Sequence, residues 1–172
     1  NFIEANSVYS LDVVLASQAP EALNLVADTK SFYRGDYLSV SNAKLKTLST
    51  PSISILLPVY NAAPFLAACL DTILSQTEKD WELLAINDFS TDQSWDILQQ
   101  YASKDSRIHI FQNTKKGVIP ALRLAFAKSK GTYITRMDAD DQMHPLKLHL
   151  LKSELTKKGK GFLSTARVQY FS

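Results

Sequence analysis

The chain has 172 residues, 45% of them hydrophobic, enough to bury one substantial core and too apolar for a disordered tail. Acids and bases nearly cancel, leaving a net charge of +2, and the Lys and Arg residues are scattered without the basic stripe that nucleic-acid binding requires. A single cysteine, Cys69, excludes an intrachain disulfide and favours a reducing, cytoplasmic compartment, where it reads as a buried helix residue.

Residues 1–50 read as an N-terminal extension of unassigned role. Acids such as Asp12, Glu21 and Asp28 interrupt its apolar stretches, so no run of about 20 apolar residues is available to span a bilayer. Residues 1–16 lack the basic start of a signal peptide. Asn1 where Met is expected raises the expectation of a fragment, so attachment to the inner face of a membrane would come from segments outside this sequence. Residues 20–26 suit a helix, residues 39–54 are polar and linker-like, and Arg34, Gly35 and Asp36 form a plain turn signal.

From Pro51 onward, short apolar runs alternate with helical patterns, which predicts an α/β domain over residues 51–172 with a mostly parallel sheet. Residues 53–57 form a continuous apolar strand that Pro58 is expected to end by removing a donor. A helix starts near Pro64, with Leu66, Cys69, Leu70 and Ile73 on one stripe. Residues 81–86 give the second strand, and Ser90, Thr91 or Asp92 can cap a helix that turns Trp95, Leu98, Tyr101 and Ala102 inward. Residues 108–111 give a third strand, followed by a helix with Ala121, Leu122, Ala125 and Phe126 on one face, closed by Lys130 and Gly131. Residues 132–137 give a fourth strand running into Asp138, Asp140 and Asp141. Pro145 then opens a helix through Leu148, Leu151 and Leu155, and residues 162–171 read as a further strand.

In open parallel sheets, ligands bind outside the carboxyl ends of the strands. Asn61, then Asn87, Asp88 and Asp92, then Lys115 and Lys116, then the acidic cluster follow successive strands, so one rim collects them all. Crowded carboxylates repel unless a cation neutralises them. Mg or Mn typically takes one or two protein carboxylates and completes its shell with water and phosphate oxygens, at roughly 2.0 to 2.2 Å. In an extended segment, Asp138 and Asp140 would face one side across Ala139. Solvated structural acids are the alternative reading. A calcium loop fails, because Met143 and His149 stand where that pattern needs Gly and Glu. No GxGxxG follows any strand, which argues against a dinucleotide-dependent oxidoreductase. Residues 61–64 replace the Gly-rich phosphate loop that a nucleotidyltransferase would carry.

Three segments together carry a family resemblance: Pro58, Val59, Tyr60 and Asn61; residues 87–92 (Asn, Asp, Phe, Ser, Thr, Asp); and residues 136–141 (Arg, Met, Asp, Ala, Asp, Asp). In this order and at these intervals they resemble family-two glycosyltransferases, over residues 52–172. The resemblance implies the glycosyltransferase-A fold, a Rossmann-like sheet flanked by helices, here as the N-terminal, nucleotide-sugar-binding portion. It implies a nucleoside diphosphate sugar donor, usually with uridine, and a glycan or lipid-linked acceptor in cell-surface polysaccharide or glycan synthesis.

The resemblance also implies roles. The backbone of Pro58, Val59 and Tyr60 frames the base, with Asn61 beside it, and Asp88 accepts a hydrogen bond from the uracil ring. Asp138 and Ala139 border the ribose, Asp138 also orients the metal shell, and Asp140 is the expected ligand for Mn or Mg. Lys116 and Arg136 are diphosphate partners, although Arg136 could equally pair with a neighbouring acid. The chain departs from the family where Asn87 replaces a common Asp, Phe89 a common Gly and Arg123 a common Asn. The implied reaction is direct displacement with inversion, the metal stabilising the departing diphosphate. Relatives hold the base downstream of the acidic motif, so none is named before Ser172. The chain is therefore expected to bind nucleotide without transferring sugar efficiently. A non-catalytic nucleotide-binding or interaction domain is the alternative.

Overall fold

The computed structural model describes residues 15–16 and 51–158. Two apolar strands, β2 (Ile53–Val59) and β3 (Trp81–Asn87), lie at the centre of a five-stranded sheet, with β4 (Ile108–Gln112) outside β3 and β5 (Tyr133–Arg136) outside β2. These four strands are parallel, in register from Ile53↔Trp81 to Val59↔Asn87 at the centre. A two-residue strand, β1 (Leu15–Ala16), adds antiparallel to the β5 edge, opposite Ile134 and Tyr133. Nothing in the strand and helix rhythm of the sequence anticipates that addition. The expected helix at 20–26 and strand at 162–171 lie outside the described residues.

Side chains alternate across a strand, and each face has its own helices. Ile55, Leu57, Leu83 and Ala85 pack under α1 (Ala63–Leu74) and α2 (Ser94–Ala102). Leu56, Leu84 and Ile86 pack under α3 (Val118–Lys128). Because both faces are covered, β3 is buried along its whole length. The helix stripes fall where the 3.6-residue period places them: Leu66, Cys69, Leu70 and Ile73 are the buried residues of α1, and Ala121, Leu122, Ala125 and Phe126 those of α3. In α2 only Leu98 among the expected residues is fully buried, while Trp95, Tyr101 and Ala102 pack half-buried against the core. The last described helix, α4 (Lys147–Lys158), buries Leu148, Leu151 and Leu155, and starts two residues after Pro145.

Two boundary expectations need correction. Strand β2 runs through Pro58 to Val59, because the missing N–H matters on one side only. The Leu56 carbonyl accepts from Met137 on the β5 side, and the Val59 carbonyl accepts from Asp88 on the β3 side. Alternation therefore turns Pro58 toward β5, where pairing stops at Leu56↔Arg136, while pairing with β3 continues to Asn87. The second correction concerns Gly131, which does not close α3. The cap is Ser129, in an extended conformation, and Gly131 is small because Ser54 lies against it.

Candidate functional site

At the carboxyl end of the sheet, the loops after β2, β3 and β5 border a cleft of about 430 Å³. Of the residues expected at the site, Pro58, Val59, Tyr60, Asn61, Asp88, Asp138, Ala139 and Asp140 line it. Lys116 and Arg136 do not belong to the lining. Lys116 reaches the lip through Tyr60, its ammonium 4.9 Å from the centre of the ring and 3.4 Å from the hydroxyl oxygen. Arg136 forks onto Asp138 Oδ1 through Nε, at 3.0 Å, and through a terminal guanidinium nitrogen, so it is engaged by the neighbouring acid. Buried Ala62 and the exposed, apolar Phe65 and Val118 complete the lining, and nothing in the residue patterns singled them out.

The acidic segment is a turn, closed by the Asp141 N–H donating to the Asp138 carbonyl at 3.2 Å. This corrects the extended geometry expected for it. Asp138 and Asp140 nevertheless border the same cleft, with Ala139 buried between them. Beneath the turn, the Cys69 thiol donates to the Asp138 carbonyl at 3.5 Å. Burial, and then the charges of Asp141, Asp140 and Asp138, push that thiol up to about 12, so it remains a protonated donor rather than a nucleophile.

Asp88 is only 5% exposed and holds the loop between β4 and α3. Its Oδ1 accepts from Asn113 Nδ2 at 2.7 Å, and both carboxylate oxygens accept from the Gly117 N–H, at 3.0 and 2.9 Å. Gly117 has a φ of 126° at the start of α3, a conformation that suits glycine.

The loops after β2 and β3 are knitted together by caps that cross between them. Ala62, at the start of α1, has no capping side chain of its own, and α2 likewise begins at Gln93 without one. Instead Ser90 Oγ accepts from Asn61 N at 3.1 Å, Ser94 Oγ from Ala62 N at 2.9 Å, and Asp92 Oδ2 from Ala63 N at 3.0 Å. Asp92 Oδ1 accepts from Ser94 N at 3.0 Å, so one carboxylate serves the first residues of both helices. Burial raises the Asp92 pKa, but the bonds from Ser94 and Ala63 outweigh it and hold the carboxyl below its usual range.

Two residues on this rim adopt left-handed backbone, Asn61 at φ 47° and Phe89 at φ 60°. Asn tolerates that region, and its Oδ1 accepts from Thr91 N at 2.8 Å. Phe89 is different: it is bulky, and the residue is 49% exposed. A glycine would remove the steric strain at the expense of chain entropy. Phe89→Gly is therefore expected to stabilise the fold by about 1 kcal/mol, read as a midpoint shift in urea unfolding. An unchanged or lower midpoint would mean that the ring packs favourably enough to offset its backbone.

The acids suit a divalent cation in number and chemistry. Among the described residues there is no cluster of three or more His, Cys, Asp or Glu side chains of the kind that encloses a metal. Two carboxylates on an open rim match the mode in which Mg or Mn keeps water and phosphate oxygens as its remaining ligands.

Comparison with known proteins adds independent findings. A family model described as Glycosyl transferase family 2 matches residues 54–172. The uncharacterized glycosyltransferase EpsJ of Bacillus subtilis is 35% identical over 104 residues, which cover 60% of this chain and 30% of that protein. Chondroitin synthase of Pasteurella multocida is 33% identical over 107 residues, covering 62% of this chain and 11% of that protein. The matched segment thus spans less than a third of either relative. Among solved structures, S. aureus TarS in complex with UDP superposes with a TM-score of 0.58 at 21% identity, covering 62% of this chain and 32% of that one. The mannosyltransferase PcManGT from Pyrobaculum calidifontis, in complex with GDP-Man and Mn2+, superposes with a TM-score of 0.57 at 20% identity, covering 77% of this chain and 39% of that one. The likeness is one of fold: a mostly parallel, Rossmann-like sheet flanked by helices.

Proposed function

Because the chain belongs to glycosyl transferase family 2, we propose that its cleft holds a nucleoside diphosphate sugar, UDP-linked, as the donor-binding half of an inverting glycosyltransferase. The whole protein would transfer the sugar to a hydroxyl of a glycan or lipid-linked acceptor in polysaccharide synthesis. The observation that carries this reading is convergence. Residues 58–61, Asp88 and the acidic turn, far apart in sequence, border one cleft at the carboxyl end of a parallel sheet.

Each residue then has a task. Tyr60, half exposed on the rim, offers a ring face to a base, and the backbone of Pro58 and Val59 bounds the same wall. Asp88, which lines the cleft, is the carboxylate that would accept from a base. Lys116, beside Tyr60, is the cation that can swing toward a diphosphate, and Arg136 holds Asp138 in orientation. Asp140, with Asp138, would hold Mn or Mg. Such a cation, when bound, neutralises charge on a departing diphosphate. Neither the base that deprotonates the acceptor nor the acceptor site is assigned to any of these residues.

Calorimetric titration with UDP, with and without Mn, tests the reading. Binding is expected to need Mn and to prefer UDP over GDP. In Asp140→Ala it should weaken about 100-fold, roughly 3 kcal/mol. A folded chain that binds neither nucleotide would defeat the proposal, and equal binding by wild type and Asp140→Ala would remove Asp140 from the cation site.

A further inference from the structure

The segment between β5 and α4 carries both cleft aspartates but has no regular secondary structure over residues 137–146, so beyond the Met137 N–H, which donates to the Leu56 carbonyl of β2, its backbone runs without a strand ladder. Several of its polar groups are met by a polar stripe on the neighbouring helix. Cys69, Thr72 and Gln76 stand at i, i+3 and i+7, on one side of α1 and of the turn that ends it. Cys69 donates to the Asp138 carbonyl. Thr72 Oγ1 accepts from Met143 N at 3.0 Å while donating to the Cys69 carbonyl at 2.7 Å. Gln76 is fully buried, and its Nε2 donates to the carbonyls of His144 at 2.9 Å, Thr72 at 3.1 Å and Met143 at 3.4 Å. Its Oε1 accepts from Leu148 N at 3.2 Å, in the first turn of α4.

We infer that this stripe, with Gln76 as its principal member, positions the acidic turn and thereby sets the cation affinity of the cleft. The inference rests on the donor-site reading above. A buried amide is costly unless it is hydrogen-bonded, and Gln76 is fully buried. Apart from the Thr72 carbonyl, its partners are backbone groups of the segment that holds Asp140 and of the first turn of α4, the His144 carbonyl also accepting from the Lys147 N–H at 2.9 Å. Two carboxylates on an open turn bind a cation well only if they are held in place before it arrives, and partners one layer behind the ligands typically change metal affinity by about 10- to 100-fold. Gln76 and Thr72 are thus positioning residues, acting through the backbone of residues 138–148 rather than on the ligand.

The test compares Gln76→Leu, Thr72→Val and Leu98→Ala with the wild-type chain, measuring Mn·UDP affinity by calorimetry well below each melting temperature. Leu98 is a fully buried α2 residue, so its truncation supplies destabilisation without touching the turn. Amide hydrogen exchange over residues 138–148 is read in parallel. Gln76→Leu and Thr72→Val are expected to bind Mn·UDP about 10- to 100-fold more weakly and to lose protection in this segment, while Leu98→Ala binds as wild type does. Should Gln76→Leu not fold, Thr72→Val, which keeps its shape, decides alone. Wild-type affinity in Thr72→Val, or an equal loss in Leu98→Ala, overturns the positioning role. If the wild-type chain binds no Mn·UDP, the donor-site reading and the stripe's control of cation affinity both fall. Exchange then separates the two failures, because unchanged protection in Thr72→Val shows that the stripe does not order the turn at all.

Discussion

Gly131→Ala is expected to lower stability by roughly 3 kcal/mol or more, beyond the usual penalty for one added methyl group. A Cβ at this position would lie 2.5 Å from Ser54 N, 2.6 Å from Ser54 Oγ and 2.8 Å from the Ile53 carbonyl carbon. Two of those atoms are backbone in central strand β2, which is pinned between β3 and β5 and cannot retreat cheaply. Retreat would also break a buried polar chain. The Gly131 N–H donates to Ser54 Oγ at 2.8 Å, Ser54 Oγ donates to Glu82 Oε1 at 2.6 Å, and the Lys130 N–H donates to the same carboxylate oxygen. Glu82 is almost fully buried, so weakening its donors adds a desolvation penalty to the clash. Thermal unfolding followed by circular dichroism should show a melting point lower by about 10 °C. An unchanged melting point would show that the approach of Gly131 to β2 is looser than it stands here.

The same contact shows what sequence reasoning could and could not reach. The helical stripes of α1 and α3 were legible because a 3.6-residue period is local, and burial follows it residue by residue. The parallel direction of β2, β3, β4 and β5 followed from apolar runs separated by helices, whereas their order across the sheet did not. Gly131 looked like a helix stop because glycine commonly is one, but its partner, Ser54, lies 77 positions away and leaves no local trace. The crossed caps were hidden for the same reason. Asp92 carries the signature of a cap for its own helix, and only the folded loops reveal that it also serves Ala63. Most of the expected cleft residues do converge, because the strand ends deliver them to one rim whatever their spacing. Phe89 stood out only as a bulky departure from the resemblance, and its left-handed backbone, at φ 60°, left no trace in the sequence pattern. The stripe of Cys69, Thr72 and Gln76 was half visible: Cys69 read as a buried helix residue, but the polar partners that give the stripe its purpose lie about 70 residues downstream.

Replacing Asp88 separates two tasks that one carboxylate can perform. Asp88→Ala would take the acceptor from the Gly117 N–H and leave Asn113 Nδ2 only its long bond to the Gly117 carbonyl at 3.4 Å, at a site where Asn113 is itself buried, and is expected to cost about 3 kcal/mol of stability. The loop released by that change, residues 113–117, carries Lys116, so nucleotide affinity should fall whether or not Asp88 touches a base. Asn113→Ala resolves the ambiguity, because it removes one anchor and leaves the carboxylate in the cleft. Its expected cost is about 1 to 2 kcal/mol, with UDP and GDP weakened equally. Asp88→Asn keeps the shape but offers an amide where the carboxylate accepted two donors. If Asp88 reads the base, this variant should lose its preference for UDP over GDP, beyond any loss shared with Asn113→Ala. If Asp88 only anchors the loop, the two variants should weaken both nucleotides in the same ratio. Urea unfolding and paired calorimetric titrations of the variants decide between these outcomes, and an Asp88→Ala chain as stable as wild type would contradict the anchoring role itself.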